Sequence, residues 1–502
     1  MKKETNTKEK PSVKDSLLDQ WVENLEINSD NLKKILSKSA DFISKPVTIN
    51  SKLNIVVHMF FIDGLINHQQ ISELILKPLV NDVRLVNVKD EKSLFNYIEQ
   101  GVVYFSAQNT LTNMYEITDA ILSGNVVIIF NELNKAIAFD TKGFQMRSIT
   151  TPTEETSLKG SKDTFVETIR VNTATVRRKI KSTNLIIEDM TIGYMSNTLV
   201  SIVYMDNMVS KVTLNELIER LKSIDTQEVI FPGIIEEHII EDRYASFPQV
   251  NYTEKPDKFC ISVLDGKIGL IIDGIPFTLI LPTTIVDFFQ TTDDYTSSRF
   301  VASAFRIMRY TLAALALFIT GYFITITTFH QLLLPPDLAI SIITSREGVP
   351  FPMFLEIIVL VLAFQVLIEA GTRIYSSIGG MVTLVGALVV GDAAVNAKFV
   401  SPAAVVVVAI AAIANYAIPN RDFANSLWLW QFIMILLSSI IGLFGLVIGL
   451  ILLVYSLASV EVLGVPYLSP FVNSNTKDAF KDSIIRPPLD KKTNPDYIQR
   501  TK

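Results

Sequence analysis

The residues of this chain best placed to do chemistry are charges in settings where charges are expensive. Glu356, Glu369, Arg373, Asp392 and Lys398 lie in or beside long apolar runs, where an ionised side chain is either paired or functional. Glu369 and Arg373 are four apart, the spacing of an ion pair on one helical face. Glu356 has no candidate partner nearby in sequence except Arg346. Asp392 follows Gly391 among small residues, so it either faces a watery path or ends a helix at the membrane interface. Catalytic signatures are missing. His58, His68, His238 and His330 lack metal-ligand spacing, and there is no phosphate-binding loop, dinucleotide fingerprint or nucleophile elbow. Cys260 has no second cysteine to bridge to. Glu236, Glu237, Glu241 and Asp242 form an acidic patch of the kind that is ordinarily just solvated. The expectation is a protein that is not an enzyme, with no metal and no cofactor.

These charges sit in a chain with two contrasting halves. Up to about residue 300 it reads as an ordinary soluble α/β protein; from Tyr310 to Val460 charges nearly vanish. About 20 apolar residues suffice for a helix to cross a hydrocarbon core of roughly 30 Å. Mainly apolar stretches occupy 310–329, 353–371, 374–397, 401–419 and 428–460. Only 19% of residues are charged, against about 25% in soluble proteins, and the net charge of −6 gives no basic excess, so nucleic acid is not an expected partner. Arg299, Arg306 and Arg309 precede the first span, and Lys477, Lys481, Arg486, Lys491 and Lys492 follow the last. The positive-inside rule then puts both ends in the cytoplasm, with an even number of crossings. The reading is four full spans plus one re-entrant or interfacial element. The polar start lacks the apolar core of a signal peptide, so the soluble part is expected to stay cytoplasmic and the first span to act as the insertion signal. Pro335-Pro336 and Pro350-Phe351-Pro352 bracket Asp337–Ser345, which is too short to span and is expected in the interface. Gly445 and Gly449 form a G-x-x-x-G packing face.

The soluble half repeats itself. The apolar run from Asn54 to Asp63-Gly64 recurs about 143 residues on as Leu199 to Asp206-Asn207, each followed by a helical stretch. The stretch Ile121–Asn131, with a glycine turn at Gly124 leading into a strand, is matched about 142 residues on by Val263–Asp273, with Gly266 at the turn. Apolar strands often end in Asp-Gly by chance, but the shared offset favours duplication. Between the copies, Asp163–Lys181 carries Arg170, Arg177, Arg178, Lys179 and Lys181. Such a basic helix either touches anionic lipid or a partner, or is a solvated face. The expected fold is an α/β soluble N-terminal region of two tandem α/β subdomains, followed by an all-α polytopic transmembrane domain. The expected boundaries are 1–45 for an N-terminal segment, 46–155 and 156–298 for the subdomains, 299–462 for the membrane domain and 463–502 for a cytoplasmic tail.

Several stretches together carry a family resemblance. They are Phe247-Pro248-Gln249 with Thr253-Glu254-Lys255-Pro256-Asp257; Asp273-Gly274-Ile275-Pro276-Phe277 leading to Asp287-Phe288-Phe289-Gln290 and Asp293-Asp294-Tyr295; and Arg346 through Pro350-Phe351-Pro352 to Glu356, with Glu369-Ala370-Gly371-Thr372-Arg373. Val385–Gly391, Val400-Ser401-Pro402, Ile418-Pro419-Asn420, Gly464–Pro470 and Asp482–Arg486 complete the set. Over roughly 150–490 the chain resembles the A subunit of GerA-type spore germination receptors. The resemblance implies a non-enzymatic subunit of a nutrient receptor in the spore inner membrane. Its partners would be a permease-like B subunit that binds germinant and a C-subunit lipoprotein, and it would form a homo-oligomer, a pentamer, that releases monovalent cations. A sporulation-specific paralogue linked to dipicolinate release is the nearest alternative within the family, and the extra copy over 50–150 favours the receptor. A solute transporter is the alternative outside it, against which stands the lack of a repeat between 310–397 and 401–460. The family often has acids where this chain has Val361 and Gln365, a base at Ile368, and Gln or Glu at Asp392.

A cation path needs a polar or acidic stripe held on a packed helix. Glu356, Leu360 and Ala363 share one helical face, so Glu356 is expected at a pore mouth with Leu360 and Ala363 as a hydrophobic gate below it. Glu369 would pair with Arg373 for structure. Gln365 and the Asp392 region are the other pore candidates.

Overall fold

The computed structural model describes residues 25–143 apart from 104 and 106, residues 159–373, 391–472 and 482–488, and the single positions 22, 155 and 480. The chain divides into two compact units, one of residues 1–157, 161–238 and 252–280, the other of residues 158–160, 239–251 and 281–502.

The first unit holds two sheets with the same strand order. Helix α1 (Ser29–Leu36) precedes β1 (Phe42–Thr48), β2 (Val56–Ile62), β3 (Gln108–Leu111), helix α2 (Met114–Leu122), β4 (Val126–Phe130) and β5 (Lys135–Phe139). These strands pair in the order β1-β2-β4-β5-β3, antiparallel at each junction. After helix α3 (Ile169–Lys179) come β6 (Leu185–Ile192), β7 (Thr198–Met205), β8 (Asn251–Thr253), helix α4 (Pro256–Leu264), β9 (Ile268–Ile272) and β10 (Thr278–Leu281), in the order β6-β7-β9-β10-β8. The duplication read from sequence is therefore present in the topology.

The turn that carried the signal has one physical cause in both copies. Gly124 and Gly266 follow α2 and α4 in the left-handed region, at φ 92° and 93°. The amide after each glycine returns to a helix carbonyl, Asn125 N–H to Ala120 and Lys267 N–H to Ser262. This is a glycine helix stop, and a Cβ at either position would meet a backbone carbonyl, of Leu65 or Met208, at 3.1 Å. The central strands β4 and β9 are buried along their whole length. In the first sheet Val126, Ile128 and Phe130 face one apolar cluster while Val127 and Ile129 face another, so helices cover both sides. Cys260 lies in the core of the second sheet, and burial pushes its thiol up to about 12, leaving it unreactive at neutral pH.

Helix α3 is largely buried, with Lys179 and, just beyond its end, Lys181 left exposed. Arg177 is fully buried and holds the Asp41 carboxylate with two donors, Nε at 2.7 Å and Nη2 at 2.9 Å. It also donates to Ser39 Oγ and to the Leu185 carbonyl. Arg170 bridges Asp189 and Asp63, one acid from each copy, and Arg178 and Lys179 reach Asp163. The basic residues bolt the two copies together.

In the second unit the membrane helices are α5 (Arg299–Thr328), α6 (Pro336–Ser345), α7 (Met353–Arg373), α8 (Pro402–Tyr416), α9 (Arg421–Ile441) and α10 (Leu443–Ser459). Among the described residues, three helices are long and apolar enough to cross a membrane, Arg299–Thr328, Met353–Gly371 and Arg421–Ile441; α8 and α10 are shorter and apolar. The apolar run 428–460, expected as one element, is two antiparallel helices, because the chain reverses at Gly442 with φ 63°. Gly445 and Gly449 let α10 approach α9 so closely that a Cβ would collide with the Leu437 carbonyl or the Met434 sulfur. The Arg299 guanidinium donates to the Arg486 carbonyl, so both ends of the helical region meet at one end of the bundle. Lys481 and residues 374–390 lie outside the described residues.

Candidate functional site in the membrane helices

Glu356 begins as the residue most in need of a partner and proves to have two. Its side chain is fully buried; one carboxylate oxygen accepts from Arg346 Nε (3.2 Å) and Nη2 (3.1 Å), the other from the Ser401 backbone N–H (2.9 Å). Ser401 is the N-cap of α8, its hydroxyl oxygen accepting from Ala404 N–H. A carboxylate at a helix N-terminus satisfies orphan donors and meets the positive end of the helix dipole. Two motif stretches, Arg346–Glu356 and Val400–Pro402, therefore meet at one clasp. Glu356→Ala would strand the Arg346 charge and the buried Ser401 amide. We expect a loss of about 2–3 kcal/mol, read as a lower melting temperature through Trp428 and Trp430 fluorescence in detergent, with Glu356→Gln losing less.

The rest of α7 follows from that anchor. Leu360, one turn on, is buried against Ile324, Val400, Val408 and Ile435 of the same chain. The face bearing Glu356 and Leu360 thus looks into the protomer's own core. Ala363 and Gln365 are half-buried. Exposure concentrates on the opposite side: Leu355, Val359, Leu362 and Val366 are exposed, and Glu369 continues their line. At 100° per residue these five positions fall within about 80° of one another, a single narrow stripe ending in an acid. Glu369 is exposed; the Arg373 side chain lies outside the described residues. Asp392 and Lys398 are exposed, Asp392 in a helical run over 391–396.

A second constellation lies at the bundle end where the chain enters and leaves, and sequence reasoning missed it. Arg306, fully buried, donates to Asp294 (3.1 Å) and to Asp482 (2.9 Å). Arg309 holds the same Asp294 through two nitrogens at 2.9 Å. The guanidinium groups of Arg306 and Arg486 both lie over the Tyr295 ring, 5.4 and 5.8 Å from its centre. The arginines counted as positive-inside charges are thus an internal ion network. Beside it Phe247, Phe288, Phe289, Phe423 and Tyr467 form an aromatic cluster with centroids 5.2–6.4 Å apart. The pairing was hidden by separation along the chain, although Asp294, Arg306 and Arg309 stand close enough in sequence to have signalled half of it.

Burial works to raise the Asp294 pKa, but the hydrogen bonds of Arg309 and the charges of Arg309 and Arg306 prevail and hold it below the ordinary carboxylate value. A depressed folded pKa contributes stability that is complete above the unfolded value, about 3.9, and is lost as pH falls through the folded one. The melting temperature of the full chain is therefore expected to drop below about pH 4, and Asp294→Asn to be less stable at neutral pH with a flatter acid limb.

Among the described residues no group of three or more His, Cys, Asp or Glu side chains is arranged to hold a metal ion. His58 sits half-buried on β2, and burial, then the charge of Lys33, lower its pKa.

Comparison with known proteins covers most of the chain. The profile of the Bacillus/Clostridium GerA spore germination protein family matches residues 30–497. Spore germination protein KA of Bacillus subtilis (strain 168) is 34% identical over 92% of this chain and 84% of its own length. Spore germination protein GerQA of Bacillus cereus is 32% identical over 91% of this chain and 90% of its own. The crystal structure of the N-terminal domain of the A subunit of the Bacillus megaterium spore germinant receptor GerK3 is 26% identical, covers 51% of this chain and 95% of its own, and superposes with a TM-score of 0.40.

Proposed function

We propose that this chain, which belongs to the GerA family of spore germination proteins, works as the A subunit of a nutrient receptor and forms an oligomeric, germinant-gated cation channel. The observation that carries the channel reading is the stripe on α7. Leu355, Val359, Leu362 and Val366 are apolar and exposed, and Glu369 extends them by one turn. In a ring of copies, a pentamer on the family resemblance, this stripe lines the axis. The aliphatic side chains make a dewetted closed gate. The gate therefore lies on the stripe and not on the Glu356–Leu360 face. Glu356 acts as the anchor that fixes the rotation of α7.

The partners in this reading are a permease-like B subunit that binds germinant and a lipoprotein C subunit. The setting is the spore inner membrane, with the soluble region and the chain end on the core side. The receptor assembled from all three subunits in planar bilayers is expected to show a cation-selective conductance that rises with germinant. Tracer flux of a solute with no conductance would replace the channel by a transporter, and neither would leave an assembly scaffold. Cysteine labelling at Arg299 and Lys481 tests the orientation; opposite sides would overturn it.

A further inference from the structure

Independently of the channel reading, and resting only on the membrane character of the helices, one cavity has no part in the sites above. It lies between the second half of α5, helix α6 and the start of α8, with a volume of about 520 Å³. Ile319 and Phe323 line it from α5, Leu338 and Ile342 from α6, Ala403 and Val406 from α8. The walls are almost wholly apolar. The lining hydroxyls that are partly covered are spent inside their own helices, Thr327 donating to the Phe323 carbonyl and Ser345 to that of Ile342. A polar solute would find hydroxyls only at the exposed edge, on Tyr322 and Ser341.

We propose that this cavity is a lipid site that takes one acyl chain of a membrane phospholipid. Two observations select that occupant. The cavity lies beside residues 319–327, the last part of a 30-residue helix long and apolar enough to cross the membrane, so it occupies the half of the span away from the arginines at the helix start. Helix α6 carries apolar side chains on two sides: Leu338 and Ile342 turn to the cavity while Ile340 and Ile343, 60% and 59% exposed, turn outward beside the exposed Asp337 and Thr344, as suits a short helix at the membrane interface. Tyr322 and Ser341, both exposed lining residues, offer hydroxyls to the ester region of the same lipid. The chain would wedge α6 against α5 and α8, so that α6 keeps its place through lipid.

The test is native mass spectrometry of the full chain purified in mild detergent, with lipid extraction of the same sample. The parent is expected to retain one phospholipid through delipidation. Ala403→Trp, which fills the cavity, should lower that occupancy about tenfold or more. The milder Val406→Phe serves if the tryptophan variant misfolds by circular dichroism, and Val359→Phe, at a position that does not line the cavity, should keep the lipid. The proposal fails if the parent retains no phospholipid, if it retains free fatty acid or detergent instead, or if the filled variants hold phospholipid as the parent does. It also fails if Leu338→Cys crosslinks to a second protein chain at high yield, because the cavity would then be covered by protein.

Discussion

Arg177→Met is expected to be among the most destabilising single changes in the soluble region, costing about 3–5 kcal/mol. The guanidinium and the Asp41 carboxylate are 0% and 1% exposed, and their two hydrogen bonds have the bidentate form. Removing the cation leaves a carboxylate with no solvent and no counter-charge, and the penalty is that stranded charge more than the lost bond. The Ser39 hydroxyl and the Leu185 carbonyl lose donors at the same time. The double variant Arg177→Met with Asp41→Leu should recover most of the loss, because apolar groups of similar size can replace a buried pair at little net cost. Hydrogen exchange of β1 and β6 amides in the full chain reads the effect directly, since Asp41 precedes one strand and the Leu185 carbonyl begins the other. If the double variant is as unprotected as the single, the pair acts through geometry that aliphatic packing cannot supply, and the stranded-charge account is wrong.

How much of this was legible in sequence depends on the range of the interactions. The repeat was readable because its signals are local: a glycine stop after a helix and an all-apolar strand recur at one offset, and Gly124 and Gly266 adopt the same φ for the same reason. The reversal inside 428–460 was not read, because Gly442 differs in sequence from Gly445 and Gly449 only by position, and glycine both breaks and packs membrane helices. Long-range charge pairing was least visible. Arg177 reads as one of a basic run, yet its partner Asp41 is 136 residues away, and Arg306 finds Asp482 at a distance of 176. The same limit applies to α7. Helical periodicity correctly groups Glu356 with Leu360, but which face meets the protomer's own core is decided by Arg346, Ser401 and Val408, which a helical wheel does not contain.

That difference between faces makes the second large prediction. Leu362→Ser, on the exposed stripe, is expected to raise germinant-independent conductance about tenfold or more, because a hydroxyl in every copy wets a constriction that is closed only by being dry. Its cost to folding should be small, since Leu362 is 41% exposed in the single chain. Leu360→Ser, two residues earlier, should do the reverse. Leu360 is 3% exposed in a cluster with Ile324, Val400 and Ile435, so the change opens a cavity and buries a hydroxyl, and about 2–4 kcal/mol of stability should go. The fraction that still folds should stay closed without germinant. Paired melting curves and bilayer recordings on the two variants separate the effects, because stability and leak move in opposite senses. Should Leu360→Ser leak while Leu362→Ser stays closed, the path runs along the Glu356 face and α7 must rotate in the assembled receptor. Should neither leak, α7 does not line the path at all, and the exposed Asp392 at the start of the 391–396 helical run becomes the residue to substitute next.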